Sequence, residues 1–375
     1  MSKISAYAPG KVILFGEHFV VYGAPGLACA IEPYNRIELS VSRPGAGSAR
    51  AARDWSKGPI EAEEAAAFAS SQPGLEYATS IGTLTVRPMA GSISDLSVVG
   101  PAPLRAQAES YKTALKLSPA LSKLSIQARA GAVWPVKGVG NSASLAAALA
   151  AGLLAAAGKN PTPAQLVECA QAADTLAHGA RPSGIDASAV SYGQAVLYQK
   201  SFEEKKQSLL KAQKLSMAKG WSLLLVDTLL PGEEKGSTAE QISRFAAAHG
   251  ISKAPAELPE KERAHLCAPY SALFKKAQAA LAKKDMASLG KCMNENQALL
   301  AAGDVSTPAI DRAVDVARQA GAAGAKLSGA GGPGGLVLVL CADKKKAAIE
   351  KALSGQGMRC YELKIAPRGA YAEKN

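Results

Sequence analysis

Lys11 follows Pro9-Gly10 and precedes an apolar run that ends at Glu17-His18. A lysine ammonium near an acid and an imidazole can polarise a hydroxyl or hold an anion. The same residues also fit a surface lysine at a strand start and a solvated Glu-His pair. A second group, Lys137-Gly138-Val139-Gly140-Asn141-Ser142-Ala143-Ser144, lies where a strand pattern gives way to a helical one. Glycines let backbone N–H groups approach an anion, and a helix N-terminus adds unpaired donors and partial positive charge. Lys137 adds a full charge, and Ser142, in the first turn, could place its hydroxyl on a metal ion beside phosphates. The GxxxxGK[ST] pattern is absent, so this is not a Walker A loop. A tight turn capped by Asn141 or Ser142 is the alternative. A third group, Ser328-Gly329-Ala330-Gly331-Gly332, opens a glycine-rich run before an apolar strand pattern. Such a chain can pass very close to a ligand, and a plain hairpin turn rarely needs so many glycines.

Two acids complete the set. Asp186 follows the Pro182-Ser183-Gly184 turn in surroundings with few other charges. Asp174 belongs to a helix whose apolar face is marked by Leu166, Ala170, Ala173 and Ala177. It lies on or beside that face, in the last turns, where the helix dipole disfavours an acid. A metal or a basic group would satisfy it there; an edge position reaching solvent is the alternative.

The elements that must hold these residues can be read in outline. Strands are expected over residues 4–8 and 27–42, where Ile37, Leu39 and Val41 alternate with polar neighbours. Residues 43–102 carry one plausible strand, at 82–87. A helix over 104–117 and a strand over 124–133 lead to the second glycine loop and a helix from Ser142 to about Ala157, stopped by Gly158. Thr162-Pro163-Ala164-Gln165 starts another helix, which ends at His178-Gly179. A polar stretch near Lys200–Lys219 suggests a division into domains of residues 1–205 and 206–375. Beyond it come a strand over 221–226, helices over 237–248, 259–283 and 285–301, and one from Thr307-Pro308 to Gly321. A strand over 336–340, a helix over 343–354 and a strand over 359–365 follow, so the class is α+β.

A chain of 375 residues fits two domains at roughly 100–200 residues each. Its net charge of +12 suits either nucleic acid or small anionic ligands. The clusters Lys344-Lys345-Lys346 and Lys205-Lys206 lack interleaved aromatics, which argues against a nucleic-acid surface. The six cysteines form no CxxC pair, so zinc has no support and a reducing, cytoplasmic location is expected. The first residues lack a secretion-signal pattern. The most apolar run, Ala143–Ala157, is short of the roughly 20 residues of a membrane helix. No membrane association is expected.

Taken together, the three glycine-rich motifs, in this order, resemble the GHMP kinase superfamily, named for galacto-, homoserine, mevalonate and phosphomevalonate kinases. Within it, PGKVILFGEHFVVYGAPGLACAI, HGARPSGID and KLSGAGGPGG are similar to the mevalonate kinase family. The resemblance implies a two-domain fold. Its N-terminal domain would be like ribosomal protein S5 domain 2, its C-terminal domain ferredoxin-like, with ATP and substrate in the cleft between. By motif position, Asp186 matches the catalytic aspartate and Lys11 the lysine that polarises the reacting hydroxyl. Ser142 matches the magnesium-binding serine, with Asp174 where the family has glutamate. Glu17, His18 and, more distantly, Thr238 match substrate-side residues. Residues 137–144 would bind ATP, magnesium would be the metal, and the acceptor would be a small anionic alcohol such as mevalonate. His18, Arg181 and Lys235 are candidates for its carboxylate. Phosphomevalonate kinase, a mevalonate kinase acting at a different hydroxyl, a non-catalytic sensor and a nucleic-acid binder are the alternatives, and homodimerisation stays open. The chain departs from the pattern at Asp174, Val136, Asn141 and Pro333, and by one extra residue after His178.

Overall fold

In the computed structural model the described residues are 2–43, 73–80, 82–88, 96–131, 133–178, 183–202, 208–215 and 217–375. Arg181 lies outside them.

The first strand, β1 (Ser2–Phe15), is much longer than expected and carries Lys11 within it rather than at its start. It pairs antiparallel with β2 (Gly26–Ser42), with a register shift between Pro9 and Gly10. Strands β3 (Gly74–Thr79), β4 (Gly82–Pro88), β5 (Leu96–Val99) and β6 (Ser125–Gly131) extend the sheet beyond β2, β6 and β3 being parallel. Against this sheet lie α2 (Asn141–Ala156) and α4 (Ile185–Tyr192), with α1 (Ala106–Leu117) and α3 (Pro163–His178) packed on α2 and on each other. The alanines of α2 let it press close: a Cβ at Gly152 would come within 2.5 Å of Leu39. The capping box expected for α3 is present, with the Gln165 N–H donating to the Thr162 hydroxyl at 3.4 Å and the Thr162 N–H to the Gln165 side chain at 3.0 Å. Among the described residues no helix is long and apolar enough to cross a membrane.

Strands β7 (Ala195–Gln199) and β8 (Leu209–Gln213) still belong to the first sheet, although β8 lies beyond residue 205. A second, antiparallel sheet is formed by β9 (Trp221–Asp227), β10 (Gly324–Ser328), β11 (Leu336–Ala342) and β12 (Arg359–Glu362), in the order β10-β11-β9-β12. Its helices are α5 (Thr238–Ala248), α6 (Glu260–Lys283), α7 (Met286–Ala302), α8 (Pro308–Gln319) and α9 (Asp343–Ser354). The single strand expected over 359–365 divides: β12 pairs with β9 in the second sheet, whereas β13 (Lys364–Ile365) pairs with β2 in the first. Finally β14 (Tyr371–Lys374) pairs with the outer edge of β1. The sheets therefore do not follow a linear division at 205/206.

The apolar core also crosses between the sheets. Phe15 and Phe19 pack on Phe274, Tyr270 and Phe245 from the second half. The first motif is consequently clamped between the two halves.

Candidate active site

A cavity of about 510 Å³ opens between the two sheets. Residues from all three glycine-rich motifs line it, together with Asp174, Asp186, Lys235 and Thr238.

Lys11 comes from the middle of β1 and is only 4% exposed. Its Nζ lies 3.0 Å from Asp186 Oδ2. Asp186 stands in the first turn of α4, an element not expected from sequence, behind Gly184 at φ +92°. That helix start aims the dipole's positive end at the carboxylate. Lys11 is fixed from the other side, because its backbone N–H donates to the Val139 carbonyl at 2.8 Å.

The second motif caps α2 differently from either sequence alternative. Gly140, at φ +73°, is the N-cap, and no side chain caps the helix. The first-turn N–H groups of Asn141, Ser142 and Ala143 are thus left to whatever occupies the cavity. Asn141 turns its carbonyl to the Asn35 amide at 3.2 Å. Gly140 also makes room for Lys11: a Cβ there would lie 2.7 Å from the lysine's Cγ. Lys137, Gly138, Gly140, Asn141, Ser142 and Ala143 all line the cavity. Two expected members do not. Val139 is fully buried in the core. Ser144 donates to the Ala8 carbonyl at 3.0 Å and accepts from Asn35 at 2.9 Å, which ties α2 to β1 and β2.

Asp174 is 4% exposed and borders the cavity. Burial first, then the charge of Asp186, pushes its carboxyl up to about 7, with Lys11 opposing. Two carboxylates beside one lysine leave negative charge in a desolvated place, an arrangement suited to a divalent cation. Asp174 and the Ser142 hydroxyl would supply oxygen donors of the kind magnesium prefers, the remaining positions falling to water and phosphate.

The expected substrate-side residues divide. Thr238 lines the cavity at the start of α5. Glu17 also borders it, but its carboxylate is turned inward. It pairs with the buried Lys326 ammonium, accepts from Asn296 at 3.1 Å, and accepts the Gly16 N–H at 3.0 Å. Its side chain is 0% exposed, so it braces β10 against the first motif and has no free oxygen for a ligand. Burial raises the Glu17 carboxyl and lowers the Lys326 ammonium, and each partner holds the other charged.

His18 is buried, stacks on Phe245 with ring centroids 5.0 Å apart, and contacts the Ala330 carbonyl at 2.8 Å through Nε2. A carbonyl only accepts, so Nε2 carries the proton. Burial pushes the imidazole down to about 4, leaving it neutral near pH 7. It cannot be the cation expected for a carboxylate.

In the third motif, Ser328 bridges β10 to β1, donating to the Ile13 carbonyl at 3.0 Å and accepting the Ile13 N–H at 3.1 Å. Ser328, Gly329, Ala330 and Gly331 line the cavity, whereas Gly332 does not. Its N–H donates to Val305 at 2.9 Å, and a Cβ there would strike Gln241. Pro333, which lacks a donor, accepts the Gly236 N–H at 3.0 Å.

Sequence reasoning missed Lys326 and Asn296. The burial of Gly324–Ser328 at every position makes a partner for that lysine obligatory, but that burial is set by the fold and not by the local sequence.

Two family models match the chain: the GHMP kinases N terminal domain over residues 110–194 and the GHMP kinases C terminal over residues 277–356. Both models are of GHMP kinases, and the chain has the two-domain α+β fold of that superfamily. Among its relatives are mevalonate kinases. That of Thermococcus sibiricus is 29% identical, covering 99% of this chain and 98% of the relative. That of Homo sapiens is 25% identical over 96% of this chain and 93% of the relative. The structure of L. major mevalonate kinase in complex with R-mevalonate superposes with a TM-score of 0.67 at 26% identity, covering 97% of this chain and 96% of that one. Lactococcus lactis galactokinase shares the fold, at a TM-score of 0.70 and 16% identity over 98% of this chain and 94% of that one.

Proposed function

We propose that this kinase phosphorylates the 5-hydroxyl of mevalonate, using ATP and magnesium. The observation that carries the reading is the Lys11–Asp186 pair, 3.0 Å apart, in a cavity shared with the uncapped start of α2. The relatives' names supply the acceptor.

ATP lies with its phosphates against residues 137–143, where backbone N–H groups and Lys137 face the cavity. Asp174 and Ser142 hold magnesium, which, when bound, neutralises charge on the phosphoryl oxygens. The acceptor's primary alcohol lies beside the Lys11–Asp186 pair, within reach of both groups. Asp186 takes the hydroxyl proton as the alcohol oxygen attacks the γ-phosphorus. The new O–P bond forms as the bond to the β-phosphate oxygen breaks, and ADP leaves. Lys11 lowers the hydroxyl's pKa and stabilises the negative charge that develops on its oxygen. Catalysis rests on positioning and electrostatics, as phosphoryl transfer generally does.

ADP release should be measured with mevalonate, phosphomevalonate, homoserine and galactose as acceptors. Mevalonate is expected to give the highest kcat/KM, with phosphate on the 5-oxygen by NMR. Preference for another acceptor, or phosphate on the 3-oxygen, overturns the substrate and leaves the kinase assignment in place.

A further inference from the structure

Lys235 precedes α5 on the segment that follows β9, and its backbone is anchored on the side that leads into α5. The Gly236 N–H is held by the Pro333 carbonyl at 3.0 Å, and Ser237 caps α5 by accepting the Glu240 N–H at 3.1 Å. From that base the side chain crosses the cleft, and its ammonium donates to the Lys137 carbonyl. A Cβ added to Gly138, whose φ is +103°, would lie 2.8 Å from Lys235 Nζ. The glycine there makes room for the ammonium as well as for a ligand. On the same residue, the Gly138 carbonyl lies 3.4 Å from Lys11 Nζ. Ammonium groups from the two sheets' sides of the cleft therefore flank one residue of the glycine loop.

Lys11 has Asp186 as its counter-ion. Among the described residues no carboxylate lies within ion-pair distance of Lys235. Asp227, the acid that acts on it from further off, is engaged with Arg359 at 3.7 Å and the Leu229 N–H at 3.1 Å. A half-buried ammonium with unused donors, facing another ammonium, calls for an anion between them. Burial, together with Lys11 and Lys137, pushes Lys235 down to about 8, which an anion bound there would reverse.

We propose that Lys235 binds the nucleotide's phosphates, closing over the glycine loop from the far side of the cleft opposite Lys11. This rests on the phosphoryl-transfer reading above and moves Lys235 from the acceptor's carboxylate, where sequence placed it as a candidate, to the nucleotide. The reason is position: its ammonium contacts residues 137–138, the run that leads into the start of α2.

The test combines a variant with a measurement on the unaltered protein. Lys235→Gln should weaken binding of the non-hydrolysable MgATP analogue by roughly tenfold to a hundredfold in calorimetry, as loss of a charge-assisted contact does. Lys235→Arg should recover part of that loss. Preference for mevalonate over its uncharged lactone should stay as in the wild type. In the wild-type protein, the same analogue without acceptor should protect Lys235 from acetylation, read by mass spectrometry, and mevalonate alone should not. Unchanged nucleotide affinity in Lys235→Gln, or protection by mevalonate alone, overturns the proposal. Nucleotide binding is read without turnover, so a wild type that ignores mevalonate would sink the acceptor assignment and leave this inference standing.

Discussion

Replacing Asp174 by Asn should stabilise the metal-free protein at alkaline pH and change little at acid pH. The Asp174 carboxyl moves from an ordinary 3.8 to about 7 on folding, through burial and the neighbouring Asp186. A raised value means that the folded state prefers the protonated acid. The contribution to stability is therefore fully present below pH 3.8 and lost as pH rises through about 7. A gap of about three pH units at about 1.4 kcal/mol each amounts to on the order of 4 kcal/mol. Water entry makes that an upper bound. Asparagine imitates the protonated form and does not titrate. Urea unfolding at pH 4, 6 and 8 should show the variant and wild type close together at the lowest pH and farthest apart at the highest. Magnesium with ATP at pH 8 should then stabilise the wild type more than the variant, because the cation removes the repulsion that the substitution had already removed. A stability difference that does not vary with pH, or a variant less stable than wild type at pH 8, would refute the assignment of Asp174 as a buried, cation-seeking carboxylate.

Asp186→Asn removes the proton acceptor and should lower kcat by roughly a hundredfold or more, with nucleotide affinity by calorimetry nearly unchanged; near-normal turnover would count against the base assignment. Gly140→Val places a Cβ 2.7 Å from Lys11 Cγ at a φ of +73°, so turnover and nucleotide affinity should fall together, and an unimpaired enzyme would show that the loop is not where phosphate binds. Glu17→Gln strands the Lys326 ammonium in the core and should destabilise the protein by about 3–5 kcal/mol in chemical unfolding. Adding Lys326→Met should restore part of that loss, whereas equal stability of Glu17→Gln and wild type would mean that the pair is dispensable.

Much of this architecture was legible because local rules and global fold agree. The capping box at Thr162–Gln165, the Thr307-Pro308 start of α8 and the apolar run of β11 each signal one element by short-range chemistry. The short helix α4 was not legible. Its start is a glycine with no side-chain cap, and its eight residues are too few to display a period. Long-range pairing was equally hidden. Nothing local in residues 359–365 says that the strand will leave one sheet for another between Glu362 and Lys364. At the site, residue types pointed to the right motifs but not to the direction of each side chain. Glu17 and His18 were expected beside the substrate from the first motif's resemblance, and the fold turns them instead to Lys326 and the Ala330 carbonyl. Lys235 had the opposite fate: a loop lysine by sequence, it reaches the glycine loop because Gly236 is pinned to Pro333.

The pairing of Ile4–Tyr7 with residues 371–374 bears on how the protein is made. Synthesis runs from the N-terminus, so β1 emerges before its partner on that edge, and all four strands of the second sheet are made in between. Throughout that interval β1 can pair with β2 on one side while its other edge keeps unmatched N–H and C=O groups. Such an edge is a template for strands of neighbouring nascent chains. The first sheet is thus sealed only after the second has been synthesised.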